Sequence, residues 1–344
     1  MYTPVIKNRT IEMKVLKDLY DMPLSEKTVP LVEIVQEKTR SNSKTNFIDD
    51  LTEIFSPLER KRNFLVDIIK TNIPKNTLTP IRDFLTKVNR KKDYSLELLK
   101  KFNHLQNVIP VISYNPQIFV DNNIIEEERE LREYYDRLAF RINSNTFDDA
   151  FELVKNIIQK NDILIYDIGN ASHMNPILRA NYLTIASLKT QKEFTSILLN
   201  SNKSNEITNV SLSDGKPILE IDNSIRDLYK SYHKFDGFAD YAGMKDEMPT
   251  KGGGISPAGI YYSFNSNYFV GFRRNKKLSD FEDYIAPQII ASKYWSEYNA
   301  SHHKTCPGCN MIFNIAHKKE PGKSQAKWKG ITMYHYIFTL DELL

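Results

Sequence analysis

The chain has 344 residues, 41% of them apolar and 26% charged, with 47 basic against 43 acidic residues and a formal net charge of +4. So mixed a charge argues against a dedicated duplex-binding protein, which would concentrate one basic face, yet leaves room for a local anion pocket. The N-terminus "MYTPVIKNRT" has no apolar leader, no stretch approaches the ~18 apolar residues of a membrane span, and two cysteines make no disulfide framework. The expectation is a cytoplasmic protein with reduced thiols and no membrane contact.

In chain order, short apolar runs alternate with stretches of helical spacing. The runs are "PVIK" (4–7), "VPLVEI" (29–34), "NFLVDI" (63–68), "VIPVIS" (108–113), "LAFRI" (138–142), "ILIYDI" (163–168), "TSILLNS" (195–201) and "DGFADYA" (236–242). They do not alternate polar with apolar as half-exposed antiparallel strands do. Between them, Phe47, Leu51, Ile54, Phe55 and Leu58 share one helical face, as do Phe147, Phe151, Val154, Ile157 and Ile158. "IIEEERELREYYDRL" (124–138) predicts a helix with a solvated, charged face. "MNPILRANYLTIASLKTQK" (174–192) predicts a helix too, since "TSILLNS" makes a better seventh strand than "YLTIASL".

Eight buried strands alternating with helices imply parallel pairing and right-handed crossovers. The predicted fold is α/β, a (β/α)8 TIM-like barrel over residues 1–245. An open doubly wound sheet would show a glycine-rich turn after its first strand, and "PVIKNRTIEM" has none.

A parallel barrel opens every strand C-terminus on one face. The polar residues ending these runs are Lys7, Glu33, Asp67, Ser113, Arg141, Asp167, Asn200 and Asp240. Singly, each is read as a helix cap or a structural ion pair; as a set they predict a pocket. Glu33, Asp67 and Asp167 are the candidate metal ligands, since carboxylates from different strands suit Mg²⁺ or Mn²⁺. Asp67, Asp167 and Asp240 are the candidate catalytic acids, and Lys7, Glu33 and Arg141 the candidate ligand-binding residues, with Arg141 offering a fork to a phosphate or carboxylate. Among the histidines, only His173 is placed near the mouth; His104 is read on a helix and His233 before the eighth strand. A metal site requires the three carboxyl groups within roughly 5 Å of one another. If instead each pairs with Lys7 or Arg141, the mouth is an ion-pair network.

Residues 246–344 predict a C-terminal α+β extension packed on the barrel. "TKGGGISPAG" (250–259) lacks the phosphate-loop pattern and reads as a turn or lid. "GIYYSFNSNYFVGFRR" (259–274) predicts a hairpin ending on Arg273 and Arg274. These two join the candidate ligand-binding residues, because interleaved aromatics and arginines hold nucleotides or nucleic acid; a solvated basic turn is the plainer alternative. "SDFEDYIAPQIIASKYWSEY" (279–298) predicts a helix with a capping box from Ser279 to Glu282. In "HHKTCPGCNMIFNIAHKK" (302–319), Cys306 and Cys309 have zinc-ligand spacing beside His302, His303 and His317. No second CxxC exists, so a turn through Pro307–Gly308 is preferred to zinc.

Several motifs together resemble the beta-protein family of temperate and satellite phages and bacterial defence islands. They are "YTPVIKNR" followed by "LKDL", then "VPLVEI", "FLVDI", "YDIG" and "DGFADYAG", the hairpin "IYYSF…YFVGFRR", and "W…YHYI" near the C-terminus. The resemblance implies a component of a multigene anti-phage cassette that restrains or cooperates with a growth-inhibiting partner protein encoded nearby, like an antitoxin. It supplies no catalytic residue set. The family's tail commonly carries paired histidines, where "MYHYI" here offers only His335. Two expectations follow: a regulator or sensor that binds a partner and an anionic ligand at the barrel mouth, or a metal-dependent hydrolase of a phosphodiester or nucleotide.

Overall fold

In the computed structural model, which describes all residues except 23, 40–41, 59–60, 92, 116–123, 204–205, 249–255 and 275–276, the eight apolar runs form eight parallel strands. They are β1 (Tyr2–Lys7), β2 (Leu31–Ile34), β3 (Phe64–Ile68), β4 (Val108–Ser113), β5 (Ala139–Asn143), β6 (Ile163–Asp167), β7 (Thr195–Leu199) and, after a short strand β8 (Lys216–Pro217), β9 (Gly237–Asp240). Strand β1 pairs with both β2 and β9, so the sheet closes into a (β/α)8 barrel. Polar residues do not alternate along the strands because both faces are buried. Val5, Leu31, Leu65, Ile165 and Ile197 fill the interior, while Ile6, Val32, Phe64, Val66 and Leu198 face the surrounding helices. Each such side chain, fully buried, contributes about 1.5–3 kcal/mol relative to leaving it in water.

Helices α1 (Thr10–Tyr20), α2 (Phe47–Phe55), α3 (Thr79–Arg90), α4 (Tyr94–Lys100), α5 (Ile124–Leu131), α6 (Phe147–Ile157) and α7 (Pro176–Lys192) surround the barrel. Helix α2 starts where Asn46 Oδ1 accepts from the amides of Ile48 and Asp49, and Asp49 returns a bond to the Asn46 amide, a complete capping box. The charged 124–138 stretch departs from expectation. Its helix stops at Leu131, and the face is not simply solvated: Arg132 pairs with Glu128 and with Asp162, a fully buried acid next to β6. His104 falls in a turn rather than on a helix.

After a one-turn helix α8 (Ile225–Leu228) and β9, the chain forms the predicted hairpin, β10 (Ala258–Ser263) and β11 (Tyr268–Arg273). The third strand of this sheet is β8, lent by the β7–β9 connection, so the tail is laced into the barrel's own loops. Helices α9 (Ala286–Ala291), α10 (Ala300–Thr305), α11 (Pro307–Ala316) and α12 (Gln325–Leu343) complete the tail. Helix α12 packs on α1, α11 and β10 and is buried on nearly every side from Trp328 to Leu340, which is why its sequence shows no apolar stripe.

The single helix expected over 279–298 is instead a π-turn, Phe281–Ile285, leading into the short α9. The Ala286 amide bonds Phe281 O, one residue further back than in an α-helix, directly before Pro287, which has no amide hydrogen to give. The capping box is absent, because Glu282 accepts from the Gly322 amide (2.7 Å).

Candidate functional site

Interior-facing residues recur at every second strand position, so a polar layer sits two residues past the last apolar one. Val5 leads to Lys7, Leu31 to Glu33, Leu65 to Asp67, Val111 to Ser113, Ala139 to Arg141, Ile165 to Asp167 and Ala239 to Tyr241. Register places Lys7 beside Glu33, Glu33 beside Asp67, and Ser113 beside Arg141. From there Arg141 spans the mouth. Its Nη1 donates to Glu33 Oε1 (2.8 Å) and Asp67 Oδ2 (2.9 Å), and its Nε and Nη2 donate to Asp167 Oδ2 (3.0 and 2.7 Å). Lys7 Nζ lies 2.9 Å from Glu33 Oε2 and 3.0 Å from Asp246 Oδ1, above the Tyr241 ring. Ser113 Oγ donates to Asp67 Oδ1 (2.8 Å), and the Tyr241 hydroxyl donates to Glu33 Oε1 (3.0 Å).

One guanidinium divided among three acids leaves them unequally compensated. Burial pushes Glu33 up, but Lys7 and Arg141 together overcome it and hold this carboxyl down at about 2. For Asp67 and Asp167 burial prevails over Arg141, and both titrate above the ordinary aspartate range. Burial opposes the Arg141 charge as well, yet Asp167, Tyr241, Glu33 and Asp67 more than offset it.

A mouth cavity of 350 Å³ is lined by Glu33, Asp67, Ser113, Arg141, Asp167 and Tyr241, so the strand-end residues do converge. The expected Mg²⁺ or Mn²⁺ site from Glu33, Asp67 and Asp167 does not form. Their oxygens converge on Arg141, and a divalent ion would have to displace the cation that neutralises them. For the same reason Arg141 has no fork to offer an anion.

Asp240, expected as a catalytic acid, faces away from the barrel interior. It is fully buried under α12, where it accepts from Tyr2 (2.8 Å), Tyr336 (2.6 Å) and the Ala242 amide (2.9 Å). Asn200 is out of phase in the same way and binds the carbonyls of Gly169 and Ala171. Counting by twos from Ala239 points to Tyr241, the mouth residue that reading the ends of apolar runs misses.

Arg273 and Arg274 are not at the mouth either: Arg273 donates to the Val210 carbonyl and Arg274 lies over the Tyr284 ring. His173 is buried against His233 (2.9 Å) and Ser224 (2.8 Å) and does not line the mouth cavity. Most of the glycine-rich stretch expected to form a lid lies outside the described residues.

Residues 2–340 match the family model described as Beta protein. This chain belongs to the Beta protein family. The matched span contains "VPLVEI", "FLVDI" and "YDIG", the motifs that place Glu33, Asp67 and Asp167 at the mouth. No curated protein matches the chain. Solved structures similar to it include a family 18 chitinase from Crocus vernus, with 13% identity over 70% of this chain and 91% of that one and a TM-score of 0.39. Another is Yersinia pestis DHPS, with 10% identity over 70% and 87% and a TM-score of 0.31. A third is the arginine decarboxylase of Paramecium bursaria Chlorella virus, with 11% identity over 69% and 63% and a TM-score of 0.29.

Next to the acidic mouth, across Tyr241, this Beta protein has a second cavity of 440 Å³ with the opposite character. Lys7, Arg9, Lys203, Lys245 and Lys329 line it, against Glu12 and Glu247 as the only acids among the described residues. The Lys203 ammonium is buried, donates to the Gly243 carbonyl (3.1 Å), and has no ion pair among the described residues. Burial, then Lys245 and Lys329, pull its pKa down to about 7. Burial lowers Lys329 also. Nothing in the local sequence "NSNKS" marks Lys203, because the cluster is assembled from four separate segments.

Proposed function

We propose that this chain is a regulatory or sensing component of a multigene anti-phage defence system, acting in the cytoplasm as an antitoxin-like partner of a growth-inhibiting protein encoded nearby. Its ligand is an anion, a phosphate group of a nucleotide being the chemistry that fits best, and it binds in the cation-lined cavity beside the mouth. The observation that carries this reading is Lys203: a buried ammonium among other cations, whose missing counter-charge an anionic ligand would supply. The defence context is what the resemblance to the beta-protein family implies, and Cys306 and Cys309 are not joined in a disulfide, as suits a reducing compartment. No helix among the described residues is long and apolar enough to cross a membrane. The hydrolase alternative finds little support, since the acids that would hold its metal all turn to Arg141.

The test pairs a binding measurement with a cellular one. Inorganic phosphate or ATP should raise the melting temperature of the wild-type chain and leave a Lys203→Met, Lys329→Met variant unmoved. In cells carrying the native gene neighbourhood, the same variant, folded and expressed at the normal level, should lose phage protection or viability. Protection equal to wild type would remove this cavity from the function.

A further inference from the structure

Metal-ligating side chains with no cation of the protein among them gather not at the barrel mouth but in the described part of the tail. His302 on α10, Cys306 at the junction of α10 and α11, Cys309 in the first turn of α11 and His335 in the middle of α12 place their ligand atoms within 4.8 Å of one another. All four residues are buried, at most 2% exposed. We infer that these four side chains form a structural zinc site, closed on every side, that fastens α10 and α11 to α12.

The distances fit a tetrahedron. With Zn–S near 2.3 Å and Zn–N near 2.0–2.1 Å, a tetrahedral sulfur-to-nitrogen edge is about 3.6 Å. His335 Nδ1 lies 3.6 Å from Cys306 Sγ and 3.5 Å from Cys309 Sγ. Two irons bridged in a cluster would hold the thiol pair and the imidazole pair further apart than 4.8 Å allows, so a single ion is indicated.

The surroundings orient each imidazole for such a role. His335 Nε2 donates to the Tyr262 carbonyl (2.9 Å), which can only accept, so a neutral ring presents its Nδ1 lone pair to the two sulfurs. His302 Nδ1 is held by Glu342 (2.5 Å), the carboxylate–histidine pairing common behind zinc. That leaves His302 Nε2, a buried nitrogen whose polar neighbour is the Cys306 sulfur and which is therefore aimed into the cluster. Tyr261 OH stands 3.6 Å from Cys309 Sγ, and its ring stacks on His335. Thr339 Oγ1, 3.3 Å from His335 Nδ1, is neutral and cannot balance two thiolates.

The backbone is shaped for this approach as well. A Cβ on Gly308 would stand 2.7 Å from the His335 amide nitrogen and the Ile331 carbonyl, so only glycine lets the first turn of α11 come this close to α12. The expected turn through Pro307–Gly308 is thus a helix start, with Pro307 at its first position. A Cys–His nucleophilic pair is the chemical rival, but both cysteines are wholly buried, which suits a structural ion better than a nucleophile.

The decisive experiment is elemental analysis of the full chain purified without a histidine tag. One equivalent of zinc, released when a mercurial reagent titrates the two thiols, is expected and supports the site. A folded chain with both thiols reduced that takes up no zinc from buffered Zn²⁺ overturns it. So does a Cys306–Cys309 disulfide in the protein isolated under anaerobic conditions, or bound iron in place of zinc. Cobalt substitution should give the intense visible bands of a tetrahedral ion with thiolate charge transfer; the weak spectrum of an octahedral ion overturns the assignment. Cys309→Ser and His335→Gln should abolish stoichiometric zinc. Should these variants fail to fold, Glu342→Gln, which keeps all four ligands, should retain zinc but lose it to a competing chelator at least 10-fold more readily.

Discussion

The barrel mouth and the tail cluster are both sets of polar side chains gathered from distant segments, and they differ in what stands at the centre. At the mouth, three carboxylates surround Arg141, and the protein's own cation satisfies them. In the tail, two cysteines and two imidazoles face one another, and among the described residues no lysine or arginine stands between them. Convergence of ligand-type residues therefore does not by itself mark a metal site. The centre decides: a guanidinium closes the mouth to divalent ions, and its absence opens the tail to one.

The sharpest way to break this contrast is to strip metal. A structural zinc carries an apparent ~10–16 kcal/mol in small peptides, so its removal is the largest effect expected. A strong chelator should collapse hydrogen-exchange protection in α10–α12 while the amides of β1–β7 stay protected; equal loss in both regions would erase the distinction.

Next in size is Arg141→Met, which leaves the buried Asp67 and Asp167 without their cation and Glu33 with Lys7 alone. It should cost about 3–5 kcal/mol in urea unfolding, and much of this should return when Asp67→Asn and Asp167→Asn are added. An unchanged midpoint would mean that the network does not hold the mouth together.

Tyr336→Phe sharpens the comparison at the seam between the two regions, where Tyr336 donates to Asp240 beneath α12. A loss of about 1–3 kcal/mol is expected, with no change in zinc content.

The narrowest effect is the pH dependence of Glu33, confined to the acid limb. Its carboxyl titrates at about 2 in the fold, against about 4.3 unfolded, so its stabilising share is present above the unfolded value and fades as pH falls towards 2. Asp67 and Asp167, raised by burial, act in the opposite sense and lose stability as pH rises through their folded values. Glu33→Gln should flatten the acid limb of the stability curve between roughly pH 4 and 2. A limb of unchanged slope would assign it to other groups.

Much of the barrel was legible because a strand buried on both faces must be written in Val, Ile, Leu and Phe, and eight such runs announce themselves. Helix α7 was legible too, since "TSILLNS" makes the better seventh strand and leaves 174–192 to a helix. Asp240 and Asn200 show where the same method fails. The end of an apolar run does not say which face its last residue takes, and a single-residue step turned both away from the mouth while admitting Tyr241. In the charged stretch Arg132 reaches Asp162 just past the end of α5, a long-range pairing that no local spacing encodes.

By itself the sequence determined the α/β class, the count and order of the barrel strands, the hairpin, and most but not all of the strand-end residues at the mouth. Only the tertiary structure decided how those residues divide their charges. Whether an acid meets a metal, an arginine or a tyrosine depends on which partner the closed sheet brings across. Closure also set His335, on the last helix, against Cys306 and Cys309. A second ligand pair was sought as another CxxC, but the fold supplied it as two histidines, one from each neighbouring helix. Spacing along the chain reports only ligands that share a local element, and this site is shared among three.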